Sequence, residues 1–156
     1  MPFEVRPADV EEIEDGDARE VALENARRKA AGVEGELVLA VDTMVSLGGR
    51  IHGKPRDEDE AAATLAALAG RTHEVVSGLV IGDREAVAIT EVVFRDLGGK
   101  WIEWYVATGE WRDRAGGYAI QGRGAALVRE IRGDYLNVVG LPVAALLDLA
   151  PELLRR

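Results

Sequence analysis

The chain has 156 residues and a formal charge of −9, from 19 Lys+Arg against 28 Asp+Glu, with 47% hydrophobic and 30% charged residues. This is a globular composition of one-domain length, able to bury roughly 70% of its unfolded surface. The lack of cysteine excludes disulfides, thiolate zinc sites and cysteine nucleophiles, no apolar run nears the ~18 residues of a membrane span, and the acidic balance argues against nucleic acid as a partner.

Phe3 to Arg6 reads as a short extended stretch stopped by Pro7, and the acidic N-terminus has no apolar signal segment, so a cytoplasmic protein is expected. Asp17 to Ala31 reads as a helix, with capping-box spacing between Asp17 and Glu20 and Gly32 as its stop. The apolar run Leu37 to Val41 predicts a strand buried on both faces, turned back at Gly48-Gly49. Asp57 and Glu60 repeat the capping spacing ahead of an Ala- and Leu-rich helix ending at Gly70. His73 to Ile81 and Ala86 to Phe94 read as an antiparallel hairpin across Gly82-Asp83-Arg84, with His73 half exposed. Lys100 to Thr108 is a helix stopped by Gly109, and residues 110 to 124 form a glycine-rich working loop. Ala125 to Ile131 is a strand, Gly133 to Gly140 a loop, and Pro142 opens a final helix. The pattern predicts a mixed central sheet flanked by helices, an α/β or α+β layer fold, with α/β the reading adopted.

Asp42 ends the run Leu37-Val38-Leu39-Ala40-Val41, which reads as the carboxyl end of a central strand, where such sheets place ligands. A strand-end turn former is the equally open alternative. Lys54, in Gly53-Lys54-Pro55, can meet a phosphate as a point charge or be a solvated turn lysine. Lys29, at the end of Arg27-Arg28-Lys29, suits a helix C-terminus. Glu11 and Glu12 suit a solvated surface, and Trp101, Trp104 and Tyr105 have the spacing of packing residues on a helix. With only His52 and His73, a histidine-built zinc site is not expected. In the working loop, Gln121 stands between Ile120 and Gly122, where its amide can present a donor and an acceptor to a ligand.

Six segments in register resemble the Maf family of nucleoside triphosphate pyrophosphatases: Ala40-Val41-Asp42-Thr43, Gly53-Lys54-Pro55, the stretch from Leu68 to Gly78, Gly109-Glu110, the stretch from Asp113 to Gly122, and Asn137-Val138-Val139-Gly140-Leu141-Pro142. The resemblance implies a three-layer architecture like that of the Maf and inosine triphosphate pyrophosphatases. It also implies cleavage between the α- and β-phosphates of a nucleotide with a divalent metal, Mg²⁺ or Mn²⁺, and a family that often forms homodimers. Asp42 matches the family's catalytic aspartate and proton acceptor, Lys54 its phosphate-binding lysine and Lys29 a second lysine of the pocket. Glu12 matches an acidic residue associated with metal or water, so Asp42 and Glu12 would be the metal's carboxylates. Thr43 and Gln121 match the branch acting on dTTP and UTP, whereas the 7-methyl-GTP branch has glutamine and glutamate there. A neutral amide pairs with the imide edge of uracil or thymine.

Two departures stand out. The family's opening strand, its Ser-x-Ser-Pro-x-Arg-Arg run and the helix after it have no counterpart, and Met1-Pro2-Phe3-Glu4-Val5 lines up with the family's segment just beyond that helix. The expectation is therefore a Maf-like domain over 1–156 shorter by about 30 residues. It would have an uncovered sheet edge, with its natural start lying upstream as the favoured expectation, because the remaining site residues are intact, and a genuine remnant of weak or no activity as the alternative. Arg114 stands where lysine is commoner, keeping the charge but not the point-donor geometry. The alternative to an enzyme is a non-catalytic nucleotide-binding protein resembling family members linked to inhibition of septum formation.

Overall fold

The computed structural model describes residues 3–155; the alignment of Met1 and Pro2 lies outside them. Residues 3–14 run without regular secondary structure, so the expected extended stretch forms no strand. Helix α1 is Ala18–Ala31, capped by the Asp17 carboxylate, which accepts from the Arg19 and Glu20 amides. The Gly32 amide closes its other end on the Arg28 carbonyl. Strands β1 (Leu39–Leu47) and β2 (Arg50–His52) form a hairpin whose turn residues, Gly48 and Gly49, both have positive φ, the geometry a two-residue hairpin favours. Helix α2 (Glu58–Leu68) starts at the Asp57 cap. Strands β3 (Thr72–Ile81) and β4 (Arg84–Phe94) form the central hairpin. Then come α3 (Gly99–Val106), two short 3-10 turns, β5 (Val128–Arg132), α4 (Tyr135–Val139) and α5 (Val143–Leu149).

The sheet order is β2-β1-β3-β4-β5. Helices cover a central sheet, as expected, but among the described residues the sheet is not mixed: all four pairings are antiparallel. The tight β1–β2 and β3–β4 hairpins require it for two of these pairings, and β3 and β5 return antiparallel to β1 and β4 through longer connections. The predicted strand from Ala125 begins at Val128, since Arg123–Leu127 coil into a 3-10 turn. The predicted loop 133–140 contains α4, capped by Asp134 and tied down by buried Asn137, which donates to the Val75 carbonyl and to Thr90 Oγ1. Leu37 and Leu39 are exposed, so the strand is not buried on both faces where it begins.

The period-2 alternation of β1 divides the molecule. Met44 and Val76 face α1 and pack on Ala18, Val21 and Ala22. Val45 and Val75 face the other way, into the main core of Leu65, Leu68, Phe94, Tyr105 and Leu127 beneath α2 and α3. Leu79 and Ile81 continue that face under Leu146 of α5. Helices therefore lie on both faces, giving three layers. Strand β2 pairs only with Val45–Leu47, so among the described residues no strand lies on that side of β1 from Leu39 to Met44. This stretch of edge is where the functional cleft opens.

His73 is not half exposed but buried, 1% accessible, because β3 is covered on its main-core face. Its Nε2 shares a hydrogen bond with the Tyr118 hydroxyl at 2.8 Å, and its Nδ1 is buried without a partner among the described residues. Burial, with a smaller push from His52, lowers it from 6.5 to about 4. The unfolded chain takes up a proton near 6.5 and the folded chain only near 4. Stability is therefore full above pH 6.5 and falls as the pH drops through that window, by on the order of 3 kcal/mol at its lower end. Urea titrations at pH 7.5 and pH 5 are expected to show this loss, and His73→Gln, which cannot charge, should flatten it.

Candidate functional site

Asp42 is not at the strand's carboxyl end. It is the fourth residue of β1, whose ladder with β3 continues to Ser46 opposite Glu74, because Thr43 and Ser46 can be accommodated within the sheet without ending it. The carboxylate is nonetheless where the cleft needs it, on the α1 face beside the open edge. Its cross-strand partner is Gly78. A methyl group there would collide with the backbone of Ala22 and Leu23, 2.5 Å from Leu23 Cα. The bare glycine lets α1 lie directly on the sheet, and that close approach brings Asn25 and Lys29 to Asp42.

Asp42 is 6% accessible, and both its oxygens are bonded. Oδ1 accepts from Lys29 Nζ at 2.5 Å, and Oδ2 accepts from Asn25 Nδ2 at 3.1 Å. Lys29 also meets Glu12 Oε1 at 2.8 Å, so one ammonium bridges two carboxylates. Asn25 is a site residue that sequence reasoning misses. Its amide donates to the Ile13 carbonyl as well as to Asp42, and its Oδ1 accepts the Ile13 amide, fastening the irregular segment that carries Glu12. The available signal is its position four residues before Lys29, which puts both on one helix face.

Desolvation favours the neutral forms of Glu12 and Lys29, but their mutual attraction is stronger. Partial burial pushes Glu12 up, while the hydrogen bond and charge of Lys29 and the charge of Lys54 outweigh it and hold the carboxyl below its usual value. Burial pushes Lys29 down, while Asp42 and Glu12 outweigh it and hold the ammonium above its usual value. What Glu12 contributes to stability is present above its ordinary pKa and lost as pH falls through the lowered one. What Lys29 contributes is present below its ordinary pKa and lost as pH rises through the raised one. The pair is thus charged across the range between, roughly pH 4.5 to 10.

Lys54 comes just after β2. Gly53 accepts the Gly116 amide at 3.1 Å, and buried Pro55 packs against Gly117. Gly116 has φ +68, and a side chain there would strike Val45. These glycines let the 115–121 loop close over the turn that presents Lys54, and the lysine forms no ion pair among the described residues.

A cleft of about 240 Å³ is lined by Lys29, Asp42, Thr43, Lys54, Arg114 and Gln121, among others. A smaller cleft of about 80 Å³ lies beside it, against Glu12, Asp42, Thr43, His52 and Lys54. Asp42 and Thr43 are consecutive and so face opposite sides of the sheet. The cleft wraps round the open edge of β1, with the acid and its lysine on the α1 side and Gln121 on the other. The Thr43 hydroxyl is bonded to Ser77 Oγ at 2.8 Å, and the Gln121 side chain is exposed. All six residues expected at the site, Asp42, Lys54, Lys29, Thr43, Gln121 and Glu12, therefore line one or both of these adjoining clefts. Trp101 and Trp104 lie outside them, half exposed and edge to face on α3.

Glu12 and Asp42 converge on the same ammonium and keep unused oxygen lone pairs. Mg²⁺ ordinarily takes one or two carboxylates and completes its shell with water and phosphate oxygens, and this donor set fits that habit. No group of three or more His, Asp or Glu among the described residues could hold an ion alone. No helix among them is long and apolar enough to cross a membrane.

A family model described as "Maf-like protein" matches residues 1–153. The dTTP/UTP pyrophosphatase of Pyrococcus furiosus is 47% identical over 155 residues, covering 93% of this chain and 82% of its own length. That of Anaeromyxobacter dehalogenans strain 2CP-C is 48% identical over 154 residues, covering 92% and 79%. That of Anaeromyxobacter sp. strain Fw109-5 is 50% identical over 167 aligned positions, covering all of this chain and 80% of the relative.

Proposed function

The chain belongs to the Maf family, and from that premise we propose that it is a nucleoside triphosphate pyrophosphatase that hydrolyses dTTP and UTP to the nucleoside monophosphate and pyrophosphate. The relatives' names support an enzyme over a non-catalytic nucleotide-binding protein. The observation that carries the reading is a buried carboxylate, bonded to an ammonium and an amide, on the wall of a cleft whose opposite wall carries an unengaged glutamine.

Asp42 accepts the proton of the attacking water. The water oxygen bonds to the α-phosphorus as the bond from that phosphorus to the bridging oxygen breaks, and pyrophosphate leaves with the bridging oxygen. Such displacements need in-line placement and charge neutralisation more than covalent chemistry. Lys29 and Asn25 fix the carboxylate's orientation, and Lys54 neutralises phosphate charge. A divalent cation, Mg²⁺ or Mn²⁺, held by Asp42 and Glu12, would supply further neutralisation of the polyphosphate. Gln121 reads the base by donating to one pyrimidine carbonyl and accepting from the imide N–H, with Thr43 lining the same cleft. The partner is accordingly a free nucleotide rather than nucleic acid or membrane, and the protein acts in the cytoplasm.

A panel of nucleotides with Mg²⁺, read as pyrophosphate release, tests this. The expected order is dTTP and UTP at least tenfold above 7-methyl-GTP in kcat/KM, with Gln121→Glu lowering the pyrimidine values about a hundredfold, because it removes the donor that a pyrimidine carbonyl needs. Faster turnover of 7-methyl-GTP than of dTTP and UTP would overturn the specificity.

A further inference from the structure

Gln121 is exposed and has no side-chain hydrogen bond among the described residues, so the backbone that carries it must set where its amide points. That backbone is held at two places, one on each side. The Ala119 amide donates to the Tyr105 hydroxyl at 2.9 Å, and the Gly124 amide donates to Glu110 Oε2 at 3.4 Å. Between them the chain closes on itself, Gly122 amide to Ala119 carbonyl at 3.1 Å.

The two anchors are neighbours. The Tyr105 hydroxyl oxygen accepts from the Ala119 amide, and the Glu110 carboxylate is near enough for its charge to act on that hydroxyl. Glu110 lies immediately beneath Gly122: a methyl on that glycine would sit 2.5, 2.8 and 2.9 Å from the three carboxyl atoms. Glu110 is itself fixed from α3. The Thr108 hydroxyl accepts the Glu110 amide at 3.1 Å and donates to the Tyr105 carbonyl at 2.6 Å. Tyr105 is fully buried, and burial first, with Glu110 adding to it, pushes its hydroxyl up to about 12, so it stays a neutral hydroxyl.

We infer that Glu110 and Tyr105 are positioning residues that set the orientation of the Gln121 amide and hence pyrimidine selectivity. This rests on the assignment of Gln121 as the base-reading residue. Neither side chain is among the residues lining the cleft. They act through the loop, so their loss should weaken recognition of the base without removing the chemistry.

The test compares Glu110→Ala, Glu110→Gln, Tyr105→Phe and Gln121→Ala. The readouts are kcat and KM for dTTP and dGTP, and the Kd of dTMP and dGMP, which have no anhydride bond to hydrolyse. Glu110→Ala and Tyr105→Phe are each expected to raise KM for dTTP and Kd for dTMP about tenfold, with kcat within about threefold and the purine values little changed. Glu110→Gln, which keeps an acceptor of the same size, should restore most of the selectivity. Equal losses for pyrimidine and purine, or a lower melting temperature with unchanged selectivity, would overturn the inference. If Gln121→Ala raises KM for dTTP and the other variants do not, this inference alone fails. If Gln121→Ala changes nothing, the reading of Gln121 fails and takes this inference with it.

Discussion

Asp42→Asn is expected to lower pyrophosphate release from dTTP by about a thousandfold while leaving the melting temperature within a few degrees of the parent. Removing a positioned general base ordinarily costs 10²- to 10⁴-fold. The upper part of that range applies here because the same carboxylate would also help hold the cation. The fold should tolerate the change. Asparagine has the same shape, and although its one oxygen can accept from only one of Asn25 and Lys29, Lys29 keeps Glu12 as its counter-ion at 2.8 Å and Asn25 keeps the Ile13 carbonyl. The charge lost is one of two facing a single ammonium, so no lone buried cation is left behind. Leucine would be a poorer probe, because it would offer neither Asn25 nor Lys29 an acceptor at this position. The assay is release of pyrophosphate under saturating Mg²⁺, with far-UV dichroism confirming the fold. Equal rates for variant and parent would remove Asp42 as the proton acceptor. A companion, Lys29→Met, should lower activity less, because Asn25 still bonds Asp42 Oδ2.

Much of this site is legible in the sequence because its signals are local. Asp17 and Asp57 announce their helices by spacing, and both cap as expected. Gly48-Gly49 and Gly82-Asp83 mark hairpins that need positive φ. Asp42 and Lys54 stand out from apolar or turn surroundings. The illegible part depends on residues that meet only after folding. Asn25 looks like any polar residue of a helix until Ile13 and Asp42 reach it from opposite sides. His73 reads as half exposed because alternation does not reveal that Phe94 and Tyr118 close over it. Residues 133–140 read as a loop because glycine stands at both ends, and the short α4 between them is anchored by Asn137 to Val75 and Thr90, far away in sequence. The end of β1 is misread because polar residues replace the apolar run after Val41, although pairing with β3 continues through them. In each case a tertiary contact overrides the local pattern.

Gly78→Ala is expected to cost about 3 kcal/mol, near 10 °C in melting temperature, and to reduce dTTP hydrolysis more than that loss of stability explains. The reason is the direction in which relief is available. The added Cβ meets the backbone of Ala22 and Leu23, which cannot swing aside as the end of a flexible side chain could. Either α1 rises from the sheet as a body or β3 bends away, and β3 is held by full ladders on both sides. The helix is the part that yields. Asn25 and Lys29 are carried with it, one and two turns further along, and their bonds to Asp42, at 3.1 and 2.5 Å, have no slack to absorb the shift. The cost thus falls on the packing of Val21, Ala22 and Val76 and on the orientation of the proton acceptor at once. Gly98→Ala is the matched control: φ is −75° and nothing lies within 4 Å of the added methyl, so stability and rate should both match the parent. Melting curves place the two variants on one stability scale, and rates taken at 20 °C, well below both transitions, separate misplacement from unfolding. A Gly78→Ala protein that melts and turns over like the parent would mean that α1 is not held against the sheet at this point. One that melts low yet keeps its rate would mean that Asn25 and Lys29 find Asp42 without that contact.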